Sequence, residues 1–208
     1  MNAIPIRAAR RDIPDALDRI RRYCGLPWSG GPPETWAYRY YDKIPTPSDN
    51  DVSPVDVLAA AALHPGLSRQ DLAFFHERNA ELGDWLDAVP PHADLGAADD
   101  ALLEHLSSLV EIDAEASVTL LTKVLHRKRP RLIPLLDRHV IDWYRPVTGE
   151  RSAAKAWGPV LVAMRHDVSG DSGELLEGVA DVLRVELSDD PPSNIRLIDI
   201  AVWMGARR

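Results

Sequence analysis

A mostly α-helical, compact multi-helix domain is the fold class the sequence predicts, and three observations predict it. Apolar residues recur every three or four positions through most of the 208 residues. Small polar residues stand directly before several of these runs, and only residues 25–50 replace the pattern with glycine, proline and aromatic side chains. The length suits one core, so residues 1–208 read as a single domain, with Gly149 as the one place where a boundary could fall.

Ile13, Leu17 and Ile20 share one helical face and predict a first helix over 13–23. In the aromatic region that follows, Trp36-Ala37-Tyr38-Arg39-Tyr40 alternates large and small or charged residues, which predicts a short strand within an ordered loop. Ser53-Pro54-Val55-Asp56 is a helix start: serine accepts from the N3 amide, proline suits N1, and the acid suits the positive helix end. That helix runs to about Leu63 and breaks at His64-Pro65-Gly66. Ser68-Arg69-Gln70-Asp71 repeats the signal for a helix carrying Leu72, Phe75 and Leu82, ended by Gly83, with a short successor holding Trp85 and Leu86 before Pro90. Residues 102–110 and 118–125 give two further apolar faces, the second closed by Pro130. Beyond the centre, residues 153–166 predict a helix that Pro159 kinks or restarts, residues 175–183 another, and Ser193 caps the apolar run IRLIDIAVWM.

Composition removes several classes of function. A net charge of -8 is unsuited to coating nucleic acid indiscriminately. A single cysteine, Cys24, rules out an internal disulfide and a cysteine-ligated iron–sulfur cluster, which needs about four thiolates. No apolar run approaches the ~20 residues of a membrane span, and the first residues lack a signal-peptide core, so a cytoplasmic protein without a membrane partner is expected. No metal site is expected either, because His126, Asp137 and His139 lack ligand spacing. Nothing in the chain calls for a cofactor.

Residues 121–144, LTKVLHRKRPRLIPLLDRHVIDWY, hold most of the chemistry. Leu136, Asp137 and Ile141 stand at N′, N-cap and N4 of a predicted helix, a hydrophobic staple in which Asp137 caps. Capping alone explains the aspartate. A carboxylate held by backbone amides is also kept ionised, and it could stabilise positive charge on a sugar or orient a water. Between residues 120 and 151 eight cations face three acids, a net of +5 in a chain of net -8. Lys123, Arg127, Lys128, Arg129, Arg131 and Arg138 are therefore candidate phosphate contacts, the alternative being a solvated helix end that complements its dipole. Trp28, Trp36, Tyr38, Tyr41, His139, Trp143 and Tyr144 are candidate pocket walls, although each on its own also reads as core or near-core.

Two resemblances go with these residues. Pro27-Trp28, Tyr41-Asp42, Pro54-Val55-Asp56-Val57-Leu58, KRPRLIPLLD and IRLIDIAVWM resemble, over nearly the full chain, a bacterial family built on a domain of unknown function. More distantly, residues 109–144, and above all Pro134, Asp137, His139 and Val140, resemble the hairpin and aspartate core of the helix-hairpin-helix DNA glycosylases. That resemblance implies a catalytic role for Asp137, a scaffolding role for Pro134 and Val140, and a hairpin over residues 109–116. The hairpin position has no glycine for close phosphate approach, and no lysine stands about eighteen residues before Asp137, so the implied chemistry is monofunctional hydrolysis of an N-glycosidic bond with water as nucleophile. The partner so implied is DNA or a nucleoside-like ligand. Two alternatives stand beside it: a non-catalytic nucleic-acid-binding protein, and a helical scaffold or small-metabolite enzyme without DNA.

Overall fold

Helices begin in this chain where a short polar side chain can take up the first free amides. A computed structural model describes residues 6–64, 66–112 and 117–206. Ser53 and Ser68 each form a full capping box, with Asp56 and Asp71 at N3, and open helices that run over Pro54–Ala61 (α3) and Arg69–Glu77 (α4). Asp99, Asp137, Ser152 and Ser193 cap through their side-chain oxygen, without the reciprocal half of the box, and open Asp100–Ser107 (α6), Arg138–Thr148 (α9), Ala153–Asp167 (α10) and Asn194–Gly205 (α12). The remaining helices are Ala16–Cys24 (α1), Tyr38–Tyr41 (α2), Asn79–Asp87 (α5), Leu109–Ile112 (α7), Val118–His126 (α8) and Gly170–Leu187 (α11).

α12 is the centre of the fold. Every residue from Ile195 to Val202 is buried, as expected of a helix apolar on nearly all sides. It packs on α1, α9 and α11, while α10 packs on α9 and α6. Trp157 of α10, fully buried, donates from Nε1 to the Leu106 carbonyl of α6 at 2.7 Å and joins the two halves of the helix set.

Four expectations need correction. Ile13 does not begin a helix; it ends a strand. Ile6–Ala8 (β1) and Arg11–Ile13 (β2) form an antiparallel hairpin with Ile6 opposite Ile13. Its turn residues Ala9 (φ 53) and Arg10 (φ 62) are left-handed, a geometry that normally shows as asparagine or glycine, so the sequence carried no hairpin signal. Trp36–Tyr40 is no strand: α2 begins at Tyr38, so that Tyr38 and Tyr41, three apart, both point into the core. The segment after Ser68 divides at Arg78 into α4 and α5, and Gly83 lies inside α5. Pro159 does not restart α10, which continues through it.

Candidate functional site

Asp137 holds the cap predicted for it. Its backbone is extended, and Oδ1 alone accepts from the His139 and Val140 amides at 2.8 and 2.9 Å. The preceding residue is fixed as well, since the Leu136 amide donates to Thr122 Oγ1 of α8 at 3.1 Å. The half-buried carboxylate borders a crevice of about 10 Å³ together with Lys123, Asp199, Tyr23, Leu63 and Trp203. That is room for roughly one water.

Lys123, Arg196 and Asp199 at this crevice are buried, and Arg196 and Asp199 pair with each other. Lys123 Nζ donates to the Leu63 carbonyl at 3.1 Å. Burial lowers its pKa, and the nearby Asp137 and Asp199 only partly oppose that. Arg196 of α12 binds both oxygens of Asp42 at 2.7 and 3.1 Å, the Tyr23 hydroxyl at 2.5 Å, and Asp199 three residues on. Burial pushes Asp199 up to about 7, with Arg196 resisting and Asp137 adding to the rise. Arg196, Asp42, Asp199 and Tyr23 were not singled out in the sequence. A signal was present in the first and third, two opposite charges at i and i+3 in the otherwise apolar IRLIDIAVWM.

On the far side of Arg196 lies a much larger cleft, of about 800 Å³. α2 and the loop to Thr46 form one wall, residues 126–131 a second, and the face of α11 with residues 189–196 a third. Its cations include Lys43, Arg131 and Arg184, and its acids include Asp94, Asp189 and Asp190. His126 lines it from α8. Nδ1 meets the Ile133 carbonyl at 2.6 Å, the ring lies nearly parallel to Tyr41, and Nε2 has no hydrogen-bond partner among the described residues. Burial, reinforced by the Arg196 charge, pushes the imidazole pKa down to about 4, so the ring is neutral.

The basic run is the main correction. Lys123, Lys128 and Arg129 are buried, and the Arg127 side chain is 4 % exposed. Arg127 donates to Asp56 and to the Tyr41 and Ile44 carbonyls, and Lys128 to Asp56, Thr46 and the Ser48 carbonyl. Arg129 donates to the carbonyls of Val89, Leu86, Asp49 and Lys128 and to Asn50 Oδ1. These four side chains are therefore not placed to meet phosphates, nor are they a solvated helix end. Arg127, Lys128 and Arg129 turn inward because the loops at 41–50 and 86–89 present backbone carbonyls that need donors away from water, and Lys123 does the same for the Leu63 carbonyl. Of the six cations, Arg131 and Arg138 stay exposed, next to Asp94 at 2.8 Å and Asp142 at 3.8 Å.

The expected pocket walls scatter. Tyr38 and Tyr41 do line the large cleft. Trp28 folds over Gly30, with Nε1 on the Pro32 carbonyl, under the Arg22 guanidinium. Trp36 stands edge-on to Trp203, 5.6 Å between centroids, and so approaches the Asp137 crevice only through that neighbour. Trp143 holds the N-terminal hairpin through the Ala8 carbonyl and the stacked Arg11. Tyr144 is fully buried and donates to Asp167 at 2.8 Å, which removes it from any pocket. His139, half-buried, borders neither concavity. Residues 109–112 of the expected hairpin are α7, and 113–116 lie outside the described residues. Among the described residues no three metal-binding side chains gather, and no helix is long and apolar enough to cross a membrane.

Residues 16–206 match the model of a family described as of unknown function, DUF6308. The chain belongs to that family. Nearly the whole helical body, from α1 to α12, is thus the DUF6308 unit, and both concavities are formed within it. No curated protein and no solved structure matches the chain.

Proposed function

We propose that this DUF6308 protein binds a small polar molecule of little or no net charge in the cleft beside His126, and that nucleic acid is not its partner. The observation that carries the reading is the cleft itself: about 800 Å³, with cations and acids mixed along its lining. Concavities of roughly 300–1,000 Å³ suit metabolite-sized ligands. A lining of mixed sign favours a neutral or zwitterionic molecule over a polyanion. The inward turn of Lys123, Arg127, Lys128 and Arg129 argues against phosphate binding by that run. Thermal denaturation with matched sets of anionic, cationic, neutral and zwitterionic compounds tests this. The neutral and zwitterionic sets should raise the midpoint most. Selective stabilisation by oligonucleotides at low salt would overturn it.

A second reading keeps Asp137 as a catalytic carboxylate in hydrolysis of an N-glycosidic bond. It is supported by the fact that Oδ1 takes both capping bonds, while the residue still borders the crevice with Lys123 and Asp199. A water fits there; a nucleoside would need Trp203 and Leu63 to move. Base release from a panel of lesion-bearing duplexes, abolished in Asp137→Asn, is the result this reading requires.

A further inference from the structure

We infer that His126 is the hydrogen-bond acceptor on the cleft wall, and that the molecule bound there presents it an uncharged N–H or O–H donor, such as a carboxamide or lactam. The inference rests on the cleft being the ligand site. A carbonyl can only accept, so the 2.6 Å contact to Ile133 fixes the proton on Nδ1. Nε2 of the neutral ring is then an acceptor with a fixed direction, and no described residue supplies its donor. The residue is 4 % exposed and lines the cleft, so a ligand reaches it from the cleft side.

A second unpartnered group sits in the wall formed by α2. The Tyr38 hydroxyl is buried without a hydrogen-bond partner, and Tyr38 lines the cleft. A buried hydroxyl without a partner, beside an acceptor of fixed direction on the same cleft, marks a lining suited to a polar ligand. The charge of the donor follows from the neighbours. Arg127 and Arg196 both act on the imidazole as positive charges, and the opposing Asp42 is already engaged by Arg196 and Tyr23. A cationic donor is repelled from that setting, and a carboxylate has no proton to donate.

The test uses the full chain labelled with ¹⁵N in its histidine rings and backbone, and three small probes: nicotinamide, nicotinate and benzamidine. The first has an uncharged amide donor, the second the same ring without a donor, the third a cationic donor. Nicotinamide should move the His126 Nε2 resonance and the amides of residues 38–46, and the other two should leave Nε2 unmoved. In His126→Asn the side-chain amide can replace Nδ1 toward Ile133 while leaving no acceptor at the Nε2 position. Nicotinamide affinity should fall about tenfold there, the equivalent of one hydrogen bond. Equal cleft shifts in wild type and variant, or an unmoved Nε2, would overturn the role of His126 and leave the cleft reading standing. If none of the three probes shifts any cleft amide, both fall. Should the variant fail to fold, the wild-type Nε2 resonance decides alone.

Discussion

Lys128 Nζ donates to Asp56 Oδ2 at 2.6 Å, and neither side chain has any exposure to solvent. Asp56 is at once the N3 partner in the capping box of α3 and the countercharge for Lys128 and Arg127. Local capping and long-range packing therefore meet in one carboxylate, which joins α3, the loop at 41–50 and the end of α8.

Breaking that pair from either side should be severe. Lys128→Met leaves a buried carboxylate short of its closest donor, and loss of about 3–5 kcal/mol is expected in denaturant unfolding. Burial opposes ionisation of Asp56, but hydrogen bonds from Lys128, Ser53 and Thr46 outweigh it and hold the carboxyl below its usual range. Its folded pKa being lowered, its stabilisation is present above the unfolded value of about 3.9 and is lost as pH falls through the folded value. Asp56→Asn should flatten the acid limb of the stability curve.

Arg129→Lys tests whether the guanidinium is a structural fork. One ammonium has three donors and cannot reach the five acceptors now served around Val89, Leu86, Asp49, Lys128 and Asn50. Each buried acceptor left bare costs about 1–3 kcal/mol, so the conservative change should destabilise by at least about 2 kcal/mol. An unchanged unfolding midpoint would show that the loops at 49–50 and 86–89 do not depend on it.

Asp199 should contribute with the opposite sign to Asp56 and in a different window. Burial raises its folded pKa to about 7. Relative to Asp199→Asn, the wild type should be fully favoured below the unfolded value of about 3.9 and should lose ground as pH rises toward 7. Parallel unfolding curves for the two proteins at pH 4 and pH 8, with the same difference at both, would contradict this.

Tyr144→Phe separates a core residue from a pocket residue. The change removes the hydrogen bond to Asp167, a carboxyl whose pKa burial already raises and which also accepts from the Ala9 amide. A loss of about 1–2 kcal/mol is expected in unfolding, with no change in ligand affinity.

What the sequence made legible was local. Ser53, Ser68, Asp137 and Ser193 announced their helices because a cap is written within four residues. The hairpin at 6–13 was not legible, since Ala9 and Arg10 take left-handed conformations without the residue types that usually announce them. Nor was the inward course of 127–129: their acceptors are mostly carbonyls about 40 to 86 positions away, and a carbonyl has no sequence signature. Asp137 was found and its cap foreseen, but its crevice depends on α1 and α12, which no local pattern places beside it. In the sequence His126 reads as a poor metal ligand at the head of the basic run. Its unpartnered nitrogen shows once Ile133 is seen to hold the other one.

Where ligands bind separates the cleft from the Asp137 crevice as the working site. Backbone ¹⁵N titration of the full chain should compare, in parallel at low salt, a panel of uncharged polar fragments and a duplex carrying an abasic-site analogue. Fragment shifts at residues 38–46 and 126–131, with silence from the duplex, are the expected result. Salt-sensitive shifts from the duplex at residues 135–140, with the fragments silent, would contradict it.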